Sequence, residues 1–201
     1  VPGNVALAKL AHDKYGKLPW AALFAPAIRL ADEGFLMNPR LNGSLEGNID
    51  RAGADPLMRA TFYTEAGDPR PVGTRILRPE LAASLRAIAA QGPEAMYGAE
   101  PAAELAATVA AATPLAAGMT PSDVSSYRAR ERAPVCGIYR SYRICGMGPP
   151  SSGGIAVLAM LGQLERFDLA ALGPRNPQFW HLFLESQKLA YADRELYTGD
   201  S

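Results

Sequence analysis

The sequence contains none of the short patterns that mark the best-known classes of active site. It has no Gly-x-Ser-x-Gly elbow, no His-Glu-x-x-His zinc helix, no Walker phosphate loop and no Gly-x-Gly-x-x-Gly nucleotide turn. Its two histidines, His12 and His181, are isolated, and its two cysteines, Cys136 and Cys145, lack the Cys-x-x-Cys spacing of a metal site. We therefore expect no metal and no cofactor.

Excess charge and long apolar runs are also missing. Among the 201 residues, 20 lysines and arginines balance 20 aspartates and glutamates, so no net field steers the chain to nucleic acid or anionic lipid. No apolar run is long enough to span a bilayer, and no signal peptide is visible. The opening Val1-Pro2-Gly3 does not resemble a translation start, and we interpret it as a cut within a longer protein.

The chain is rich in alanine and in residues that mark the starts and ends of helices. Hydrophobic residues make up 48% of the sequence, and the many alanines among them favour helix while burying little area each. A core made largely of alanine buries little apolar area, so we expect the chain to pack against a partner surface. Proline and Asn-Pro signals predict helices that begin near Pro19, Pro26, Pro39, Pro79, Pro121 and Pro177. In the last helix the predicted apolar stripe consists of Phe179, Leu182, Phe183, Leu189 and Ala190.

Two segments depart from helix. Residues 64–74 carry glycine and proline turn signals and predict a surface loop. Residues 134–147 predict a β-hairpin, and a turn at Arg140-Ser141 would place Cys136 opposite Cys145. A cross-strand disulfide is then conceivable, but the bridge needs a narrow spacing, and we favour two free thiols packed as small hydrophobes. No boundary between autonomous domains is visible, so residues 1–201 are interpreted as one piece.

A proline-, serine- and glycine-rich turn joins this hairpin to an apolar helix. In the run 148–154 the prolines stiffen an extended approach, Ser151 or Ser152 can cap the helix, and Gly153 and Gly154 let another backbone come close. A helix N-terminus can bind an anion, but no basic residue follows the glycines. We favour a structural turn that holds hairpin and helix in register. The side chains expected to pack inward are Ile155, Leu158, Leu161, Tyr142 and Ile144.

The remaining polar candidates have ordinary structural interpretations. Glu185, Asp193 and Glu195 could supply acids, but carboxylates near basic residues on a helix are usually solvated ion pairs. His181, beside Trp180, is interpreted as a satisfied structural histidine, because no nucleophile or carboxylate can be paired with it from sequence. We therefore assign no catalytic and no substrate-binding residue. Ser151 to Gly154 remain a structural or backbone-contact loop.

A set of short landmarks, in one order along nearly the whole chain, resembles the γ-glutamyltranspeptidase family (γ-glutamyltransferase, glutathione hydrolase). Each landmark is weak alone, but the ordered set is highly specific. The chain departs from the family pattern at Gly148, where a third proline is usual, and at Ser141, which replaces a glycine. The landmarks are Val1-Pro2-Gly3, Lys14-Tyr15-Gly16, Leu18-Pro19, residues 26–35, 91–97, 139–142, 149–154, 167–169, 188–194 and Gly199-Asp200.

This resemblance implies a mostly helical fragment with one β-hairpin, part of an αββα N-terminal nucleophile hydrolase. In that family one precursor cuts itself into a large and a small subunit. The freed N-terminal threonine of the small subunit then attacks the γ-glutamyl carbonyl. The chain would be the later part of the large subunit of a periplasmic or secreted enzyme. Its partners would be the rest of that subunit, the small subunit, and glutathione or γ-glutamyl compounds.

One apparent match is not carried over. Residues 130–134, Arg-Glu-Arg-Ala-Pro, resemble the family segment whose arginine binds the substrate carboxylate, a task suited to a guanidinium fork. That segment lies earlier in the family than the landmark Val1-Pro2-Gly3, so we interpret 130–134 as structural. The nucleophile motif, a doubled threonine, is absent among the seven threonines, and we expect the chain alone to be inactive. The alternatives are a fragment of a cephalosporin or glutaryl acylase, or a free-standing helical interaction module.

Overall fold

The computed structural model describes residues 1–112 and 118–199, and this part of the chain forms two compact units. The first unit covers Val1–Ala129 and the second begins at Arg130. Asp200, the second residue of the landmark Gly199-Asp200, lies outside the described residues. Helix dominates both units, in agreement with the frequent caps and alanines of the sequence. No described helix is long and apolar enough to cross a membrane.

The first unit consists of helices joined by short turns, with one small antiparallel ladder. A 3₁₀ turn at Trp20–Phe24 leads into helix α2 (Ala25–Glu33), which ends before Gly34 at φ 81°, as the sequence predicts. The ladder pairs β1, Phe35–Leu36, with β2, Arg75–Ile76, and was not predicted. The helices are α1 (Asn4–Tyr15), α2 (Ala25–Glu33), α3 (Pro39–Glu46), α4 (Ile49–Ala52), α5 (Pro56–Phe62), α6 (Pro79–Gln91), α7 (Glu94–Tyr97), α8 (Ala99–Ala112) and α9 (Pro121–Ser125).

Side-chain caps fix several helix starts where the sequence predicts them. The Asn38 side chain accepts the Leu41 N–H at 2.8 Å, and a proline follows at the first helical position. Thr120 and Asp123 form a reciprocal capping box at α9. Two buried clusters hold the unit together. One contains Met37, Leu45, Phe62, Tyr63 and Ile76, and the other Tyr97, Ala102 and Val124.

The second unit is a β-hairpin followed by three helices. Strands β3 (Val135–Tyr139) and β4 (Tyr142–Gly146) pair antiparallel around Arg140-Ser141, which confirms the predicted hairpin and its turn. The helices are α10 (Gly153–Leu164), α11 (Leu169–Leu172) and α12 (Pro177–Tyr197). The α10 helix packs against both the hairpin and α12.

The two cysteines are bridged, which corrects the expectation of two free thiols. Cys136 and Cys145 are directly opposite each other in the hairpin, with their Cα atoms 4.1 Å apart, and form a disulfide. The sequence argument for free thiols rested on the narrow spacing that a cross-strand bridge needs. Here the antiparallel register itself supplies the short separation.

Candidate functional site

The turn from β4 to α10 is the segment for which the sequence indicated a specialised role. After Gly146 the chain passes through Pro149 and Pro150, and the Ser151 N–H donates to the Gly148 carbonyl at 3.1 Å. The α10 helix begins at Gly153, as predicted, and the Ser152 carbonyl accepts the Ala156 N–H at 2.9 Å. The run 148–154 is therefore a short, hydrogen-bonded connection between strand and helix.

Two glycines let the strand end and the helix start meet backbone to backbone. A Cβ placed on Gly154 would lie 2.6 Å from the Met147 carbonyl oxygen and 2.9 Å from the Gly146 carbonyl carbon. A Cβ placed on Gly146 would lie 2.6 Å from the Gly154 Cα. These distances are too short for real side-chain carbons, so both positions require glycine. Gly153 differs, because the nearest atom to its added Cβ is the Ser151 Oγ at 3.9 Å.

The turn is tied to α12 by a side-chain hydrogen bond that the sequence did not suggest. The Arg194 Nε donates to the Ser152 Oγ at 2.8 Å, and the Arg194 guanidinium lies over the Tyr191 ring. The predicted serine cap is therefore wrong: Ser152 stands at the N-cap position, but its side chain makes no cap hydrogen bond to α10. Its hydroxyl accepts from the arginine instead.

Arg132, from the segment 130–134, also contacts this turn. Its guanidinium donates to the Pro149 carbonyl at 2.8 Å. An arginine held by a main-chain carbonyl contributes to the packing of the turn. This contact gives Arg132 a structural use, whereas the arginine that matches the carboxylate-binding position of the family pattern is Arg130.

The inward packing predicted for α10 is correct only in part. Leu158 and Leu161 are half-buried, but Ile155 is 36% exposed and Tyr142 is 68% exposed. The buried positions of the helix are Ala156 and Leu164. A small residue of the hairpin faces the helix: a Cβ on Gly137 would lie 3.0 Å from the Leu158 Cδ2, so strand and helix approach closely.

The α12 stripe is also shifted from its predicted composition. Leu189 is 58% exposed, whereas Ser186 is buried and its hydroxyl donates to the Met160 carbonyl at 3.2 Å. A serine can take a core position when its hydroxyl finds a carbonyl on the neighbouring helix, because the polar group is then satisfied. Hydrophobic periodicity does not signal such a position.

The polar candidates of α12 lie at the surface. Glu185 accepts from Lys188 at 3.0 Å and Glu195 pairs with Arg194, so these two carboxylates form exposed ion pairs as predicted. Asp193 and His181 are exposed as well. No group of three or more metal-ligating side chains occurs in residues 1–112 and 118–199.

A cleft of about 340 Å³, which no sequence pattern predicted, lies in the first unit. Tyr97 forms part of its wall: its hydroxyl donates to the Pro2 carbonyl at 2.7 Å and accepts the Ala6 N–H at 3.3 Å. Burial raises the pKa of Tyr97 above its ordinary value. The charged groups at the cleft are Lys9, Asp13, Glu94 and Arg128.

Comparison with known proteins matches the whole chain to one family. The family model described as Gamma-glutamyltranspeptidase matches residues 1–201. The chain is 38% identical over 200 residues to the Acylase ACY 1 proenzyme of Pseudomonas sp. (strain V22), covering 100% of this chain and 35% of that protein. It is 37% identical over 204 residues to the Glutathione hydrolase proenzyme of Escherichia coli (strain K12), covering 99% of this chain and 34% of that protein.

Comparison with solved structures identifies the same family. The crystal structure of the Helicobacter pylori gamma-glutamyltranspeptidase superposes with a TM-score of 0.88 at 31% identity, covering 100% of this chain and 56% of that chain. The chain thus spans about a third of the length of the curated relatives it matches. Its mostly helical structure with one β-hairpin is part of the αββα N-terminal nucleophile hydrolase fold, as the resemblance implied.

Proposed function

The chain belongs to the γ-glutamyltranspeptidase family, and we propose that the protein containing it transfers or hydrolyses γ-glutamyl groups, with glutathione as the leading substrate. The observation that carries the proposal is the family match over residues 1–201. A relative at 37% identity is named a glutathione hydrolase proenzyme, which supports the same reaction class.

We place the chain in the later part of the large subunit of a self-cleaving precursor. The acyl-enzyme would form on a threonine outside these 201 residues, with the threonine's own α-amino group as base, and water or an acceptor amine would resolve it. The role left to the chain is support. It would supply helical packing, and the backbone contact between Gly146 and Gly154 would fix one strand-to-helix register within that scaffold.

We also propose that the protein works outside the cytoplasm, in the periplasm or after secretion. The Cys136–Cys145 disulfide supports this placement, because protein disulfides persist mainly in oxidising compartments. Neither cysteine is needed for γ-glutamyl transfer as proposed.

The full-length protein, assayed with γ-glutamyl-p-nitroanilide and glutaryl-cephalosporin, tests the substrate class. We expect turnover of the γ-glutamyl substrate. Activity on glutaryl-cephalosporin alone would overturn the proposal in favour of an acylase. That second function has a specific observation behind it, since an acylase proenzyme is 38% identical to this chain.

The 201-residue chain by itself should be inactive on both substrates. Acyl transfer of this kind needs a nucleophile, a carboxylate clamp and an oxyanion hole, and such groups fail together when one is removed. Val1 carries no hydroxyl and cannot serve as an N-terminal nucleophile. Turnover by the purified chain that a substitution within it abolishes would contradict this expectation.

A further inference from the structure

The two faces of the β3–β4 hairpin differ in what covers them. Gly137 and Ile144 are cross-strand partners, and Gly137 lies against Leu158 of α10, which defines the inner face. Because side chains alternate along a strand, the neighbouring pairs Cys136–Cys145 and Ile138–Arg143 point to the outer face. Ile138 is 66% exposed and Cys145 is exposed, so the disulfide lies on an open surface.

The Arg143 side chain lies beside one of the two sulfur atoms of this disulfide. The Arg143 guanidinium nitrogen Nη2 lies 3.6 Å from the Cys136 Sγ. A cation next to a sulfur stabilises the thiolate that forms when the disulfide is opened. The arginine therefore favours Cys136 as the leaving group, and Cys145 is the more exposed residue of the pair.

We propose that the Cys136–Cys145 disulfide is a thiol-exchange site, at which a low-molecular-weight thiol attacks Cys145 and displaces Cys136. Thiolate attack forms a bond from the small thiol's sulfur to the Cys145 Sγ. The Cys136–Cys145 bond breaks, and its electron pair leaves on Cys136 as a thiolate beside Arg143. The product is a mixed disulfide on Cys145.

A second molecule of the thiol completes the exchange. It attacks the small thiol's sulfur in the mixed disulfide, which releases the Cys145 thiolate and the symmetrical disulfide of the small thiol. Two thiols are oxidised and one protein disulfide is reduced, and the two thiol protons go to solvent or to the cysteines. The exchange needs no γ-glutamyl transfer, so the inference stands apart from the function proposed above.

The direction of opening can be read by mass spectrometry. The oxidised 201-residue chain is exposed to 2-mercaptoethanol, quenched early with N-ethylmaleimide and digested with trypsin. Cleavage after Arg132, Arg140, Arg143 and Arg166 separates Cys136, in peptide 133–140, from Cys145, in peptide 144–166. We expect the mercaptoethanol adduct on Cys145 and the maleimide on Cys136. The adduct on Cys136 would overturn the proposal, as would a disulfide that opens only after denaturation.

The rate of opening tests the role of Arg143. The attacking form of 2-mercaptoethanol is a singly charged thiolate, so a change in its rate reports stabilisation of the leaving thiolate together with attraction of the reagent by Arg143. Arg143→Gln should slow opening about three- to tenfold, whereas Arg143→Lys should keep most of the rate. Arg175→Gln, in the loop before α12, is the matched control and should leave the rate unchanged. Equal rates in Arg143→Gln and the unsubstituted chain would overturn the polarised exchange.

Two further experiments distinguish this site from an ordinary disulfide. In guanidinium-unfolded chain the adduct should divide between the two cysteines, and the Arg143→Gln effect should vanish. The attacking thiolate of reduced glutathione carries more negative charge than that of 2-mercaptoethanol. Arg143→Gln should therefore slow opening more with glutathione, because more attraction is lost. An adduct distribution in the folded chain identical to that of the unfolded chain would contradict the proposal.

Discussion

Single glycines decide whether the hairpin and α10 of the second unit can meet. Gly146 and Gly154 touch through their backbones, and Gly137 lets Leu158 come close. At Gly153, next in sequence to Gly154, an added Cβ would make only an ordinary contact, with the Ser151 Oγ at 3.9 Å. Adjacent glycines of one motif therefore do different things, and the difference is large enough to measure.

Alanine substitutions at 153 and 154 form a matched pair in the first turn of the same helix. Gly154→Ala should lower the free energy of unfolding by about 1–3 kcal/mol, because its Cβ would overlap the Met147 carbonyl and the backbone must shift. Gly153→Ala should be neutral or stabilise by up to about 1 kcal/mol, since alanine favours helix more than glycine does. Urea denaturation measures both, and equal effects would show that the backbone contact is unimportant.

The capping box of α9 makes the stability of the first unit depend on pH. The Asp123 carboxylate accepts from the Thr120 hydroxyl at 2.7 Å and from the Thr120 N–H at 2.8 Å. The first contact and then the second lower the pKa of Asp123 below its usual value. A carboxyl whose pKa is lower in the folded state stabilises the fold above its unfolded pKa. That contribution is lost as the pH falls through the folded value.

Asp123→Asn should therefore cost stability at neutral pH and cost progressively less as the pH falls below about 4. Unfolding by urea at a series of pH values measures this convergence. Glu80→Gln is the control, because Glu80 is also in a first turn but α6 has no side-chain cap at Arg78. A loss in Asp123→Asn that is constant from pH 7 to pH 2.5 would contradict the assignment.

At the scale of whole elements, several helix starts and the hairpin were predictable, but contacts between side chains distant in sequence were not. Asn38, Thr120 and the hairpin turn act through neighbours in sequence, and local signals of this kind are visible in the sequence itself. The Ser152 hydroxyl is different, because its partner Arg194 is 42 residues away. Periodicity also could not show that Ser186 takes a core position in place of an apolar residue.

The Arg194–Ser152 hydrogen bond should couple the end of α12 to the start of α10. A double-mutant cycle with Arg194→Gln and Ser152→Ala should give a coupling energy of about 1 kcal/mol, the usual net value of a hydrogen bond in a partly buried position. The exposed Lys188–Glu185 pair serves as the control and should couple by roughly 0.5 kcal/mol or less. Additive Arg194 and Ser152 effects would mean that the two elements are held by other contacts.

At the scale of the molecule, the described core is distributed unevenly. Both buried hydrophobic clusters belong to the first unit. In the described part of the second unit the buried hydrophobic residues are Ala156, Leu164 and Ala190. Two alanines and one leucine bury little apolar area, and a unit of about 70 residues seldom forms a stable core alone. This thin core supports the prediction that residues 1–201 contain no autonomous internal domain.

The two tryptophans allow that prediction to be tested, because each unit contains one. The Trp20 Nε1 donates to the Ile88 carbonyl at 2.9 Å, and the Trp180 Nε1 donates to the Pro174 carbonyl at 2.8 Å. Trp180→Phe leaves a fluorescent reporter in the first unit, and Trp20→Phe leaves one in the second.

Within each variant, the fluorescence midpoint in urea is compared with the midpoint of helix loss by circular dichroism. We expect the two midpoints to coincide in both variants, because a chain without an autonomous second domain unfolds in one cooperative transition. Comparing probes within one variant removes the destabilisation that each tryptophan substitution brings. A Trp180 midpoint clearly separated from that of helix loss would show that the second unit unfolds by itself, and residues 1–201 would then contain an internal domain boundary.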